Sequence, residues 1–518
     1  MTLPHTSRRT FLATTAALSA AGIIGGPFSS MARGQSAALL RVRATRDIAI
    51  LDPGYMIGGA EITTQLAVMP TLVEYETTDG KLGWKPTAYV KEIGHRDPTH
   101  IDFTLNTGLM WTNGFGEFTA EDVKFSLERM KESEWSGYFD LMEGVDVTGS
   151  HSGTINMSAP FAPFWLTALA SGVAVIQCKK AIEGLETGQY TTEIPATCGP
   201  YVYEWRPKDR IVFTRDPDWT GPKPDFNEVQ YILIEEDQTA ELAYEAGEID
   251  VTGISTTTYA RYQKDMPANS ATVVAGALNW MWMGMNTEHP KLQDIRIRQA
   301  IQHAVDVDSI NAGAYSNTVV KSNGIVCPGL AGQRMASNYS YDPAKARALL
   351  SEAGSSGLQL DLNVQNIPEW VLAAQIIQAN LQAVGIEVKV NPLDPGPFWD
   401  MGQESKGDAW KDLQIWIMRY GTSPDAYEGF QWYLKDQVGV WNWERWVDPE
   451  FDELYDKGLV ETDPDERVRI YLRMQEIMED TGAYVWLNHE PEVFIYNTDI
   501  EVDVTPSGNI ELRDFKSV

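Results

Sequence analysis

The strongest constraint on the fold is a hydrophobic period that switches back and forth across residues 341–391. Asp342-Pro343 reads as a helix cap followed by a first-turn proline, and the helix it opens ends at Gly354. Leu358, Leu360, Leu362 and Val364 then alternate as a strand. A second helix is expected from Trp370 to Val384, stopping at Gly385 and handing over to Ile386, Val388 and Val390. Helix, strand, helix, strand with short connections means an α/β lobe.

The same reading places other elements. Thr119-Ala120-Glu121-Asp122 supplies a hydroxyl cap and an acidic third position, and Val123, Leu127 and Met130 mark one face of the helix that follows. Ile101 to Leu105 alternates like a half-buried strand. Ile297, Ala300, Ile301, Ala304 and Val305 repeat at three and four, predicting one helix over 294–312, and Asp463-Pro464 opens another amphipathic helix.

Ser7-Arg8-Arg9-Thr10-Phe11-Leu12 precedes a weakly apolar stretch that ends at Pro27, the pattern of a twin-arginine export leader with cleavage expected between Ala32 and Ala38. The interruptions at Thr14, Thr15, Ser19, Gly22, Gly25 and Gly26 make it a poor membrane anchor. Residues 1–38 are therefore expected to be a removed signal peptide and the remainder a periplasmic protein. About 480 residues follow, enough for two or three domains. A net charge of -31 disfavours nucleic acid and anionic lipid as partners. Outside the cytoplasm three cysteines suggest one bridge and one buried thiol; Cys178 with Cys198 is the pair expected to bridge, leaving Cys327.

Several runs together carry a resemblance. They are Leu51-Asp52-Pro53, the stretch Phe118 to Leu127, Gly199-Pro200-Tyr201, Ala246-Gly247-Glu248-Ile249-Asp250, Asn286-Thr287, Arg296 to Ala300 followed by Val305-Asp306, and Tyr341-Asp342-Pro343. In this order and spacing the chain resembles the peptide/nickel class of bacterial solute-binding proteins, family 5, over its whole mature length. Each run also has a plain structural job, as a cap, a turn or a helix end, so the runs identify a scaffold rather than a cargo.

The resemblance implies a two-lobed α/β fold of the periplasmic-binding-protein kind with an additional inserted domain. Lobe I is expected from residues 39–76, 199–284 and 485–518, the inserted domain from 77–198 and the other lobe from 285–484. Hinge strands are expected near Trp280 to Asn286 and near Tyr484 to Glu490. Ligand would lie between the lobes and be enclosed as they close. The implied partners are a small polar organic ligand and the membrane permease subunits of an ABC importer, with the protein itself a monomer.

Four stretches map onto the cleft of such proteins: Gly58, Gly59, Ala60 and Glu61 after the first strand; Trp280 and Trp282 at period two; Phe398 and Trp399; and Arg419, Tyr420, Thr422 and Asp425 in one loop. In dipeptide and oligopeptide binders of the family an aspartate in that loop pairs with the peptide's amino terminus. Here an ungapped match gives Thr422, and a shifted loop would give Asp425. The arginine that holds a dipeptide's carboxylate has no counterpart, since the matching stretch reads Val364-Gln365-Asn366. Burying a zwitterion without these anchors costs several kcal/mol, on the order of 1–3 per unpaired group.

Seven of the 17 tryptophans fall between Trp399 and Trp446. Flat aromatic walls suit sugar faces as well as apolar side chains, so an oligosaccharide stands as the alternative to a peptide. Packing alone places most of them in the core; Trp280, Trp282 and Trp399 are the ones expected at the ligand. The histidines show no paired metal-ligand spacing, no cofactor motif is present, and the sequence has no G-x-S-x-G, HExxH or Walker run. No metal, cofactor or catalytic residue is therefore assigned, and a secreted hydrolase is the rival class.

Overall fold

The computed structural model of the chain describes residues 39–56 and 58–518, so the predicted leader over 1–38 lies outside the described residues, as does Ile57. Three sheets organise the rest. The first has seven strands in the order Tyr201–Arg206, Arg210–Arg215, Glu228–Leu233, Leu39–Ala44, Val251–Ile254, Glu492–Asn497 and Ser270–Ala275. Its centre is parallel: Leu39–Ala44 runs with Glu228–Leu233 in register from Leu39↔Glu228 to Ala44↔Leu233, and with Val251–Ile254 on its other side. Leu40 and Val42 are fully buried, as a central strand covered on both faces requires.

The second sheet has six strands, ordered Val320–Lys321, Tyr484–His489, Asn279–Met285, Ile415–Gly421, Gln359–Gln365 and Glu387–Leu393. The predicted α/β unit is its parallel part. The helix Pro343–Glu352 is capped by Asp342, whose carboxylate accepts from the amides of Ala344 and Lys345 at 3.0 Å, and it is followed by Gln359–Gln365. The helix Pro368–Gln382 then leads into Glu387–Leu393, which pairs parallel with Gln359–Gln365. A third, antiparallel sheet of Val90–Asp97, His100–Leu105, Ser152–Met157 and Met142–Gly149 packs under the helix Ala120–Met130. That helix carries the predicted capping box, with the Thr119 amide 2.9 Å from the Asp122 carboxylate. The architecture is thus a two-lobed α/β fold with an inserted antiparallel sheet. Among the described residues no helix is long and apolar enough to cross a membrane.

Two expectations need correction. The single helix predicted over 294–312 is two, Ile295–Ala304 and Val307–Tyr315, because Asp306 acts as a cap, accepting from the Ser309 amide at 3.3 Å. The bridge expected between Cys178 and Cys198 is not formed: all three cysteines are free and buried. Cys178 sits at the start of the short helix Lys179–Glu183, while the Cys198 amide is bonded to Val68 O at 3.0 Å. Burial pushes the Cys178 thiol up, and both residues behave as small apolar side chains.

Near the C-terminus Arg513 gathers three carboxylates, lying 3.2 Å from Glu74, 3.3 Å from Glu511 and 3.1 Å from Asp514. Burial pushes Glu511 up to about 7 against the opposing pull of Arg513. The oxygens of Glu74, Glu511 and Asp514 come within 4.8 Å of one another, a spacing that suits a cation, and the guanidinium is the cation beside them.

Candidate functional site

Two connections join the seven-stranded and six-stranded sheets. Ser270–Ala275 runs into Asn279–Met285, and Tyr484–His489 runs through Glu490-Pro491 into Glu492–Asn497. The crossings lie side by side because Asn279 stitches them: its Nδ2 donates to Glu490 O at 2.8 Å and its Oδ1 accepts from the Glu490 amide at 2.9 Å. The Asn279 carbonyl accepts from His489 Nδ1 at 2.7 Å, and burial pushes this imidazole down to about 4, so it stays neutral at pH 7.

Beside the crossings a cavity of about 550 Å³ opens in the first sheet. It lies past the carboxyl ends of the parallel strands, lined by Arg43 and Thr45, by Tyr231, and by Gly253 and Ile254. That edge is where open α/β sheets bind ligands, because loops and helix N-termini converge there. The helix Gly59–Val68 begins at the cavity with no side-chain cap on its first turn. The first glycine of the helix and the one before it leave room for neighbouring side chains: a Cβ on Gly58 would lie 2.9 Å from Arg46 Nη2, and one on Gly59 2.9 Å from Asn509 Oδ1.

Charges around this cavity are mostly paired. Arg43, buried, donates to Asp237 at 2.7 Å and to the Ile234 carbonyl at 2.8 Å. Glu61 is fully buried and holds the chain entry to its helix, accepting from the Ala49 amide at 2.9 Å and pairing with Arg46. Glu492 lines the cavity without an ion pair, and burial raises its carboxyl while Arg419 pulls it down.

The structure places the predicted site residues as follows. Gly59 and Ala60 line the cavity, Gly58 adjoins it, and Glu61 lies beneath as a structural carboxylate. Trp280 and Trp282 share a face, with ring centroids 6.1 Å apart, but the face is sealed. Asn279–Met285 is an interior strand, and its tryptophans enter an aromatic core in which Trp280 Nε1 donates to Tyr433 at 3.1 Å and Trp282 Nε1 to Glu444 at 2.7 Å. Phe398 is fully buried in the same core. Trp399 is half-buried and stacks on Tyr420 at 6.2 Å, and the Tyr420 hydroxyl donates to Trp441 O at 3.0 Å.

The loop residues are likewise engaged. Arg419 pairs with Glu490 at the second crossing and lies 5.6 Å over the Trp370 ring. Thr422 Oγ1 donates to the Asp425 carbonyl at 3.4 Å. Asp425 is buried, accepting from Arg467 at 2.9 Å and from the Tyr471 hydroxyl at 3.3 Å. A ligand amine would have to displace an internal guanidinium to reach it, since in this structure the Asp425 carboxylate serves an internal ion pair.

Sequence reasoning named Glu490 only as the end of a hinge strand and missed Glu492 and the loop Ser507-Gly508-Asn509, which line the cavity. The available signal was Glu490-Pro491-Glu492, in which a proline separates two carboxylates at a strand junction.

Comparison with known proteins adds the following. The profile of the bacterial extracellular solute-binding proteins, family 5 (middle), matches residues 95–442. A probable D,D-dipeptide-binding periplasmic protein of Escherichia coli is 25% identical over 496 residues, covering 89% of this chain and 92% of its own. A dipeptide-binding protein of Escherichia coli is 24% identical over 419 residues, 75% of this chain and 77% of its own. Among solved structures, HbpA2 from Haemophilus parasuis superposes with a TM-score of 0.80 at 21% identity, covering 93% of this chain and 100% of that one.

Proposed function

The chain belongs to the bacterial extracellular solute-binding proteins of family 5, and from that membership we propose that it captures a peptide-like solute in the periplasm and hands it to the permease of an ABC importer. The observation that carries this reading is the position of the cavity. It sits at the carboxyl edge of the parallel strands and touches Pro491 in one of the two links between the sheets among the described residues, so a ligand held there is placed to bias rotation about those links. In this reading residues 39–76, 199–284 and 485–518 form one lobe, 285–484 the other, and 77–198 an insertion; the exported protein acts as a monomer, its leader removed.

A peptide-like cargo is supported by the E. coli relatives, both named for dipeptides. The oligosaccharide alternative draws no support from Trp280, Trp282, Trp416 and Trp443, which are fully buried and offer no wall to a sugar. Binding proteins return their cargo unchanged, which separates this reading from hydrolysis.

Thermal unfolding with di- and tripeptides against malto-oligosaccharides tests it. A ligand at a hundredfold excess over Kd adds about 2.7 kcal/mol of stability. Peptides should raise the midpoint, contract the particle in small-angle scattering and be recovered intact. A shift produced only by sugars, or cleaved peptide in the recovered ligand, overturns the proposal.

A further inference from the structure

The inserted antiparallel sheet and the seven-stranded sheet share one hydrophobic core, in which Phe103, Phe118 and Val123 belong to the same cluster as Leu40, Val42 and Phe213. An ion pair onto the buried Asp52 fixes them further, with Arg129 Nη2 2.7 Å from Asp52 Oδ2. The six-stranded sheet packs on cores of its own. Yet the inserted segment also reaches that second body, through residues that belong to neither chain crossing.

One reach is made by the ribbon of Val73–Thr78 and Lys81–Pro86. Asp79 and Gly80, at φ 51° and 74°, form the two-residue turn that its register requires, with Thr78 opposite Lys81. A two-stranded ribbon is marginal by itself, and here the stem is braced: Trp84 stacks on Trp165 at 3.9 Å and the Tyr75 hydroxyl donates to Leu166 O at 2.9 Å. Beyond the brace the Leu82 amide donates to Gly329 O at 3.1 Å, and the Leu82 side chain packs against the aromatic core of the second body. Gly329 sits at φ 85°, and a Cβ there would press on Gly80 O at 3.2 Å, so this approach needs a glycine. The other reach joins the Ala162 amide to Leu459 O at 3.1 Å, sets the Phe161 ring edge-on to Tyr427 at 5.8 Å, and brings the Tyr138 hydroxyl to the half-buried Glu428 carboxylate.

Packing between neighbouring domains is ordinary, and a permanent union of the insert with the second body is the plain alternative. The distribution of contacts separates the two. Toward the first sheet the insert has a continuous core; toward the second it gives Leu82 to the aromatic core and receives Tyr427 and Leu459 into its own, all three half-buried. A seam of that kind parts without unfolding either core.

Resting on the lobe division and the solute-binding reading above, we infer that the inserted segment is a clasp: carried by the first lobe, it grips the second at Gly329 and Leu459 and holds the two together with no ligand present. Two tethers alone leave a rotation free, and a grip away from them removes it. Exchange of cargo then requires the ribbon tip to leave Gly329.

Distances between nitroxide labels read the clasp in the ligand-free protein. The native cysteines are buried, so labels go to introduced ones at exposed positions: Glu132→Cys in the insert, Lys264→Cys in the first lobe and Lys389→Cys in the second. Pulsed electron resonance measures the pairs Glu132→Cys with Lys389→Cys and Glu132→Cys with Lys264→Cys, alone and combined with Leu82→Asp, with Tyr427→Ala and with both. Leu82 stands near a ribbon tip, so its replacement spares both cores, and circular dichroism confirms that every variant is folded. The expected result is one narrow insert-to-second-lobe distance in the unbroken protein and a displaced population about tenfold or more larger when both grips are cut, while the insert-to-first-lobe distance stays the same. An unchanged insert-to-second-lobe distance in every variant, or an unbroken protein already as broad as the variants, overturns the inference. So does a change confined to the insert-to-first-lobe pair, which would mean that the insert travels with the second lobe. Each of these outcomes leaves the solute-binding reading intact, since no ligand enters the measurement; failure of the peptide titrations removes that reading and leaves the measured clasp in place.

Discussion

Replacing Glu444 by glutamine should change how the protein's stability depends on pH. The Glu444 carboxyl is fully buried in the aromatic core, accepts from Trp282 Nε1 at 2.7 Å, and is pushed by burial up to about 8 from an ordinary 4.5. In the unfolded chain the group ionises near its ordinary value, while the folded protein holds the proton until about pH 8. The stability from this group is therefore fully present below about pH 4.5 and is lost as pH rises through the folded value, at about 1.4 kcal/mol per unit. Between pH 5.5 and 7.5 the loss is on the order of 2.7 kcal/mol. Glutamine carries no proton to lose and keeps an acceptor for Trp282, so Glu444→Gln should be flatter by that amount. Urea unfolding followed by tryptophan fluorescence at the two pH values measures it. Glu511, also raised, adds its own slope to both proteins and cancels in the difference. Parallel slopes for native and Glu444→Gln would refute the claim that this carboxyl is held neutral.

Asp425→Ala should destabilise by about 3–5 kcal/mol in urea unfolding, because Arg467 is left as an uncompensated buried charge, while ligand affinity of the folded fraction is unchanged. Trp280→Ala opens a hole in the aromatic core and orphans the Tyr433 hydroxyl, costing about 3–5 kcal/mol in the same assay with no direct loss of ligand contact. Arg513→Met leaves Glu511 and Asp514 without their cation and Glu74 with Lys85 alone, at 3.4 Å; a stability loss of about 3–5 kcal/mol at pH 7.5 that shrinks toward pH 5 is expected, since the freed carboxyls then protonate.

The local signals in the sequence were legible where one segment decides. Asp342-Pro343, Gly354 and Gly385 bracketed their helices because caps and left-handed glycines act within a turn; Gly354 has φ 65° and Gly385 φ 92°. Asp306 was readable as a cap too, but the three-and-four repeat ran across it and masked the break. The site was legible only on one side. Gly58 and Gly59 marked a close approach, yet nothing local names their neighbours: Arg46 lies twelve residues upstream and Asn509 near the other end of the chain. Period two put Trp280 and Trp282 on a common face but could not say that strands on both sides and the Tyr433–Glu444 layer would seal it. Asp425 looked available because Arg467 belongs to the separate helix Pro464–Asp480.

The stitch at Asn279 has a mechanical consequence. A body tethered by a single strand wanders over a cone, but two tethers held abreast, as Asn279 holds these, resist both twist and sideways drift, so under the proposed function the lobes would keep one easy swing like that of a door. An empty molecule so constrained would explore few orientations, and little orientational freedom would then be surrendered on binding a solute.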